Sequence, residues 1–208
     1  MKTPLIQMLT ALLLVAFVAG CANESSPYNE QTAQIDPAMN ESDPQPPSPS
    51  GLDANETNDK VVLTDDQWRA VLSKQEFGVL RESGTEYPGT GRYLDHGKDD
   101  QGAYHCVGCG NYLYDAKHKF HSGCGWPSFN QEVGPGAITE YKDKSHGMVR
   151  TEMRCARCDG HLGHIFNDGF DQPTGLRHCV NGTSLIFVPL GQDPKDVIKA
   201  HREKYADR

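Results

Sequence analysis

Two Cys-x-x-Cys turns, Cys106-Val-Gly-Cys109-Gly110 and Cys155-Ala-Arg-Cys158-Asp-Gly160, constrain this chain more than any other feature. Sulfurs three residues apart on a tight turn can point at one centre, and a following glycine lets the backbone double back. Two such turns form a closed tetrahedral set of four thiolates, suited to structural zinc with no open coordination position. Their separation, 45 residues at 110–154, exceeds the interval of about 15–20 usual in zinc ribbons. In an exported protein the thiols can instead oxidise to disulfides, and each turn alone is a possible redox motif. His105, His161 and His164 stand near the turns as substitute ligands, but four sulfurs are the simpler set.

The chain holds seven cysteines, an odd number that a framework of disulfides alone does not accommodate. The first, Cys21, follows a secretory signal: Lys2 supplies the basic start, Leu5 to Phe17 is mostly apolar, and Val18-Ala19-Gly20 leads into the cysteine. The apolar run is shorter than the roughly 20 residues of a membrane span, and no basic stop-transfer cluster follows. The tetrapeptide resembles a bacterial lipobox. That resemblance implies cleavage after residue 20 and lipid attachment at Cys21, an anchor that does not cross the bilayer. The expected location is the bacterial cell envelope, facing the periplasm or the exterior.

Residues 22–59 contain eight acids, no Lys or Arg, and six prolines. Such a segment buries too little apolar surface to offset its chain entropy. Residues 21–59 are therefore read as an acidic, disordered tether with a reach of roughly 30–40 Å. The formal charge of the chain is -8, yet residues 60–208 hold 19 basic and 20 acidic residues. The folded part is nearly neutral, so nucleic acid is excluded as a general partner.

The domain is expected over 60–208. Thr64-Asp-Asp-Gln67 is a capping box, opening a helix with Trp68, Val71 and Leu72 on one face. A second short helix is expected around Gln75–Arg81, ending before Gly84. Beyond it, recurrent glycines separate short strand-like runs: Ala103–Cys106, Tyr112–Tyr114 and, most clearly, Ser184–Val188. Asp193 caps a final helix with Pro194 at its first position. The pattern is mainly β, with peripheral helices.

Two cysteines remain. Cys179 lies in Arg177-His-Cys-Val-Asn181, where strand periodicity puts Arg177, Cys179 and Asn181 on one face. A guanidinium there favours the thiolate, and the amide is placed to hold a substrate oxygen or a water. Cys124 lies in His121-Ser-Gly-Cys-Gly-Trp-Pro-Ser-Phe129, where Gly123 and Gly125 allow the loop to move. The bland reading is a plain disulfide or two buried thiols. The sharper one is a nucleophile on a stiff strand facing a second thiol, the layout for sulfenate formation and disulfide closure.

From about Leu63 to Val188 the chain resembles the peptide-methionine (R)-S-oxide reductases, the MsrB family. The resemblance rests on Thr85-Glu-Tyr-Pro-Gly-Thr-Gly91, Tyr104 to Cys109, Ser122 to Phe129, Ser145-His-Gly-Met148, Cys155 to Cys158, His161 to Gly169 and Pro173 to Asn181, in family order. It implies two small antiparallel sheets carrying one structural zinc at Cys106, Cys109, Cys155 and Cys158. It implies Cys179 as nucleophile and Cys124 as resolving thiol, with a thioredoxin-like donor reopening their disulfide. It further implies Trp126 against the sulfoxide methyl, His164 and Asn181 at the oxygen or a water, and Asp168 as support. The substrates implied are oxidised proteins carrying methionine R-sulfoxide.

Two departures stand out. Gly182 replaces the serine usual after the Cys-x-Asn motif, a lost hydroxyl expected to loosen the strand modestly. The stretch between Asp168 and Pro173 is extended at Phe170-Asp171. Two other classes fit parts of the pattern: a zinc-stabilised envelope binding module weakened in catalysis, and a general thiol-disulfide oxidoreductase.

Overall fold

The computed structural model describes residues 60–97 and 99–204. The signal segment, Cys21 and the tether lie outside the described residues. Helix α1 (Asp65–Val71) starts as the capping box requires, with the Thr64 side chain accepting from the Gln67 N–H. Helix α2 (Lys74–Glu82) carries a second capping box, Ser73 with Glu76, and ends at Ser83 in the left-handed conformation. Trp68, Leu72, Phe77 and Leu80 from this pair are buried in the core.

Among the described residues nine strands follow: β1 (Gly102–Cys106), β2 (Tyr112–Asp115), β3 (Lys119–Phe120), β4 (Ser128–Phe129), β5 (Ile138–Asp143), β6 (Arg150–Cys155), β7 (His161–Phe166), β8 (Arg177–Val180) and β9 (Leu185–Pro189). Helix α3 (Pro194–Glu203) closes the described chain, with Asp193 accepting from the Lys195 N–H and Pro194 at the start. The strands form two antiparallel sheets, as expected: β2-β1-β9 and β3-β4-β8-β7-β6-β5.

Each Cys-x-x-Cys turn closes a hairpin, β1–β2 or β6–β7. In the first, Gly110 at φ 79° makes the reversal and donates to the Cys106 carbonyl at 2.8 Å. In the second, the left-handed position is taken by Asp159 at φ 57°, not by the glycine after it. Asp tolerates that conformation better than most side chains, and Asp159 also pairs with Arg154 at 3.1 Å.

The larger sheet is two-faced by strand alternation. In β8, His178 and Val180 are buried while Arg177 and Cys179 are partly exposed. On the inner side, the Tyr114 ring stacks on Phe129 at 4.2 Å, and its hydroxyl lies 3.3 Å from His178 and 3.5 Å from the Met153 sulfur. The reactive side chains therefore project from a strand whose other face is locked into packed aromatics.

Candidate active site

Pairing of β7 with β8 puts His164 directly opposite Cys179, and pairing of β4 with β8 puts Ser128 opposite the same cysteine. The loop leading into β4 returns Cys124 over the strand, so the two sulfurs lie 3.7 Å apart. Closing a bond of about 2.05 Å needs an approach of only about 1.7 Å. The loop is braced rather than slack. Ser122 Oγ lies 3.0 Å from Cys124 Sγ and 2.7 Å from Ser128 Oγ, and the Gly89 N–H donates to the Gly125 carbonyl at 2.8 Å.

The two thiols act as one titrating pair. A hydrogen bond from Cys179 lowers Cys124 to about 4; burial opposes this, and Ser122 and Ser128 add donors. The same contact, with burial, pushes Cys179 well up, while Arg177 pulls it down. The contact therefore favours the proton on Cys179 and the negative charge on Cys124, and Arg177 opposes this by favouring an ionised Cys179.

Cys179 opens into a cavity of about 110 Å³ with Trp126, Phe166, His164, Asn181 and Arg150 in its walls. Trp126 is fixed by its indole N–H, which donates to the Glu86 carbonyl at 3.2 Å. His164 is held by Asp143, with Nε2 at 2.8 Å from Oδ2, and Arg150 reaches the same oxygen at 2.6 Å. The Ser145 N–H and hydroxyl, then His164 and Arg150, hold the Asp143 carboxyl well below the usual range. A fixed carboxylate on one ring nitrogen orients the imidazole in the cavity.

Asn181 lines the cavity, but its amide is engaged by the backbone. Oδ1 accepts from the Glu86 N–H at 3.0 Å and Nδ2 donates to the Leu162 carbonyl at 3.1 Å. One Nδ2 hydrogen is left over from those contacts. Arg177 makes a two-point pair with Asp168, 2.8 Å at each oxygen, and lies 4.4 Å from the Phe166 ring centre. The pairing depresses Asp168 and raises Arg177 further.

Sequence reasoning did not single out Asp143, Arg150 or Glu86. Asp143 and Arg150 flank the Ser145–Met148 motif, and Glu86 sits within the Thr85–Gly91 motif, which were the only signals for them. Glu86 is 5% exposed. Its carboxylate accepts from the Gly182 N–H at 2.6 Å, the Thr183 N–H at 2.9 Å and the Thr183 hydroxyl at 2.5 Å. Gly182 does not leave the strand end loose. A Cβ there would meet the Arg92 backbone, with the Arg92 nitrogen at 2.8 Å, so the glycine permits a close chain crossing.

At the other end of the hairpins, the sulfurs of Cys106, Cys109, Cys155 and Cys158 all lie within 4.8 Å of one another; Cys106, Cys155 and Cys158 are buried and Cys109 half-buried. Cys106 and Cys158 are 3.7 Å apart, Cys109 and Cys155 3.5 Å. Sulfurs about 2.3 Å from a tetrahedral centre lie roughly 3.8 Å apart, so the donor set fits a thiolate-bound metal. All six described cysteines are free thiols, and these close sulfur contacts run between the two turns. The candidate histidines are engaged elsewhere: His105 with the Gly110 carbonyl at 3.0 Å and His161 with Glu152 at 2.6 Å. Arg81, Arg157 and Arg202 donate to the carbonyls of Cys158, Cys109 and Gly108, placing three guanidiniums around the cluster.

A family model described as the SelR domain matches residues 72–189. A peptide methionine sulfoxide reductase MsrB of Agrobacterium fabrum is 50% identical over 134 residues, 64% of this chain and 97% of the relative. The protein of that name from Pseudomonas fluorescens is 50% identical over 131 residues, 63% of this chain and 98% of its own. One from Bradyrhizobium diazoefficiens is 51% identical over 134 residues, 64% and 94% of the two chains. Over the whole of the two-sheet domain that carries Cys124 and Cys179, then, the chain belongs to the SelR-domain family of MsrB peptide methionine sulfoxide reductases.

Proposed function

We propose that reduction of peptide-bound methionine R-sulfoxide by this domain runs through Cys179 as nucleophile and Cys124 as resolving thiol. The observation that carries the reading is the 3.7 Å separation of the two sulfurs beside a small cavity containing His164 and Trp126. Cys179 passes its proton to the Cys124 thiolate 3.7 Å away and attacks the electrophilic sulfoxide sulfur, while His164 protonates the oxygen. The S–O bond to the methionine sulfur then breaks as the hydroxyl passes to the Cys179 sulfur, the new bond between the two sulfurs breaks with its electron pair going to methionine, and methionine departs leaving Cys179 as a sulfenic acid. Cys124 then attacks the Cys179 sulfur and its proton leaves with the sulfenic hydroxyl as water, closing the disulfide. The Trp126 and Phe166 faces suit the sulfoxide methyl, and Asn181 and Glu86 hold the strand end on which Cys179 sits.

Recycling requires two electrons from a dithiol of the thioredoxin kind, exchanged through the disulfide. The four-thiolate cluster would hold one zinc, which ties the two hairpins together and stands apart from the reaction. Each ionised thiol opposes the next (neighbouring thiols drive Cys106 far above the ordinary range), so full ionisation calls for a cation. Lipid attachment at Cys21 would put the domain on the membrane surface, facing the periplasm or exterior. Among the described residues no helix is long and apolar enough to cross a membrane.

The test is turnover with each epimer of a methionine-sulfoxide peptide. The R epimer alone should be reduced, Cys179→Ser should abolish the reaction, and Cys124→Ser should leave one stoichiometric reduction. Full cycling by the Cys124 variant with thioredoxin would remove the resolving role. Turnover of disulfide substrates without sulfoxide reduction would favour a general oxidoreductase, and no reaction with both thiols intact a binding module.

A further inference from the structure

The two sulfurs open on different cavities. Cys179 faces the sulfoxide cavity, whereas Cys124 lines a second cavity of about 280 Å³ that shares no residue with the first. One wall is Phe120 to Ser122; the other is the loop from Asp168 to Gln172, the stretch lengthened at Phe170-Asp171. Phe170 is 85% exposed. Its loop is tied down rather than loose: the Gly169 N–H donates to the Gly175 carbonyl at 3.1 Å, and the Gln172 N–H to the Gly169 carbonyl at 2.9 Å. Asn130 Nδ2 reaches Gln172 Oε1 at 3.3 Å, and Arg177 clamps Asp168. A tied loop that holds a phenyl ring in water beside a redox thiol leaves favourable apolar burial unused.

We propose that this second cavity is the docking site for the dithiol protein that reduces the enzyme, with Phe170 as the contact that a protein covers and a small thiol does not. The inference rests on the assignment of Cys124 and Cys179 as the redox pair. Displacement at sulfur needs the incoming thiolate in line with the bond it breaks. Attack on Cys124 therefore comes from the side opposite Cys179. The incoming sulfur bonds to Cys124, the Cys124–Cys179 bond breaks, and Cys179 leaves as a thiolate beside Arg177. The partner's second thiolate then attacks its own sulfur in the mixed disulfide and releases Cys124. The partner loses two electrons and two protons, and the enzyme gains both. Substrate and reductant thereby use separate doors, and methionine need not leave before the reductant approaches.

The test uses the full chain and its Phe170→Asp variant, with an R-sulfoxide peptide and two reductants: thioredoxin kept reduced by its reductase, and dithiothreitol. The variant should lose roughly tenfold in kcat/KM for thioredoxin, while dithiothreitol-driven turnover and the single-turnover burst stay unchanged. A thioredoxin variant lacking its resolving cysteine should be trapped on Cys124. An unchanged thioredoxin rate, an equal fall with both reductants, or trapping on Cys179 would overturn the proposal. Failure of the underlying pair assignment reads differently: no Cys124–Cys179 disulfide would form in a single turnover before any reductant is added.

Discussion

His164 and Asp143, on strands β7 and β5 with β6 between them, meet at 2.8 Å. The carboxylate stays ionised into the acid range, held there first by Ser145, so a charged acceptor fixes one nitrogen of the His164 ring. Asp143→Asn keeps the shape and removes the charge. Turnover should fall roughly ten- to a hundred-fold, because the ring loses the charged acceptor that orients it in the cavity. An unchanged turnover would place the donor elsewhere.

Gly182→Ser restores the residue common in the family, yet it should not improve this enzyme. The added Cβ meets the Arg92 backbone, and overpacking of this kind costs about 1–3 kcal/mol. Chemical denaturation should show the loss, and kcat should not rise.

Glu76 joins helix α2 to helix α3 and to the loop before β1. It is 2% exposed and lies 2.7 Å from His201 and 2.9 Å from Arg92. Burial disfavours its charge, but donors from His201 and Ser73 and the Arg92 charge outweigh that and bring its pKa from 4.5 to about 2. The folded value lies below the unfolded one, so this stabilisation is complete above about pH 4.5 and lost as the pH falls towards 2. The difference is worth at most about 3 kcal/mol. Urea titrations between pH 6 and pH 2.5 should show a shallower acid loss in Glu76→Gln than in the parent.

Removal of the metal should act on folding before it acts on chemistry. Purified protein should hold one zinc per chain, and Cys155→Ser should lower both zinc content and melting temperature. A metal-free protein with the same melting temperature would contradict the four-thiolate site.

Much of this was legible from short-range patterns. The capping residues of α1 and α3, the two cysteine turns and the neighbourhood of Cys179 each depend on spacing within a few residues. What escaped depends on long-range register. Asp143 reaches His164 only because β5, β6 and β7 pair in sequence, and nothing local marks Asp143 as a partner. Glu86 meets Gly182 and Thr183 across 96 and 97 residues. The role expected of Asn181 was read from its side-chain chemistry, which cannot reveal that Glu86 and Leu162 engage the amide. Gly182 was read as a missing hydroxyl, because the nearby Arg92 backbone is invisible until the chain folds.

The most direct measurement is a single turnover with fully reduced protein and one equivalent of R-sulfoxide peptide, followed by peptide mapping under acid quench. The account predicts a loss of two hydrogens and one disulfide, Cys124 to Cys179, with Cys106, Cys109, Cys155 and Cys158 still reduced. A disulfide within either Cys-x-x-Cys turn, or a reduced peptide with Cys124 and Cys179 both still free, would contradict it.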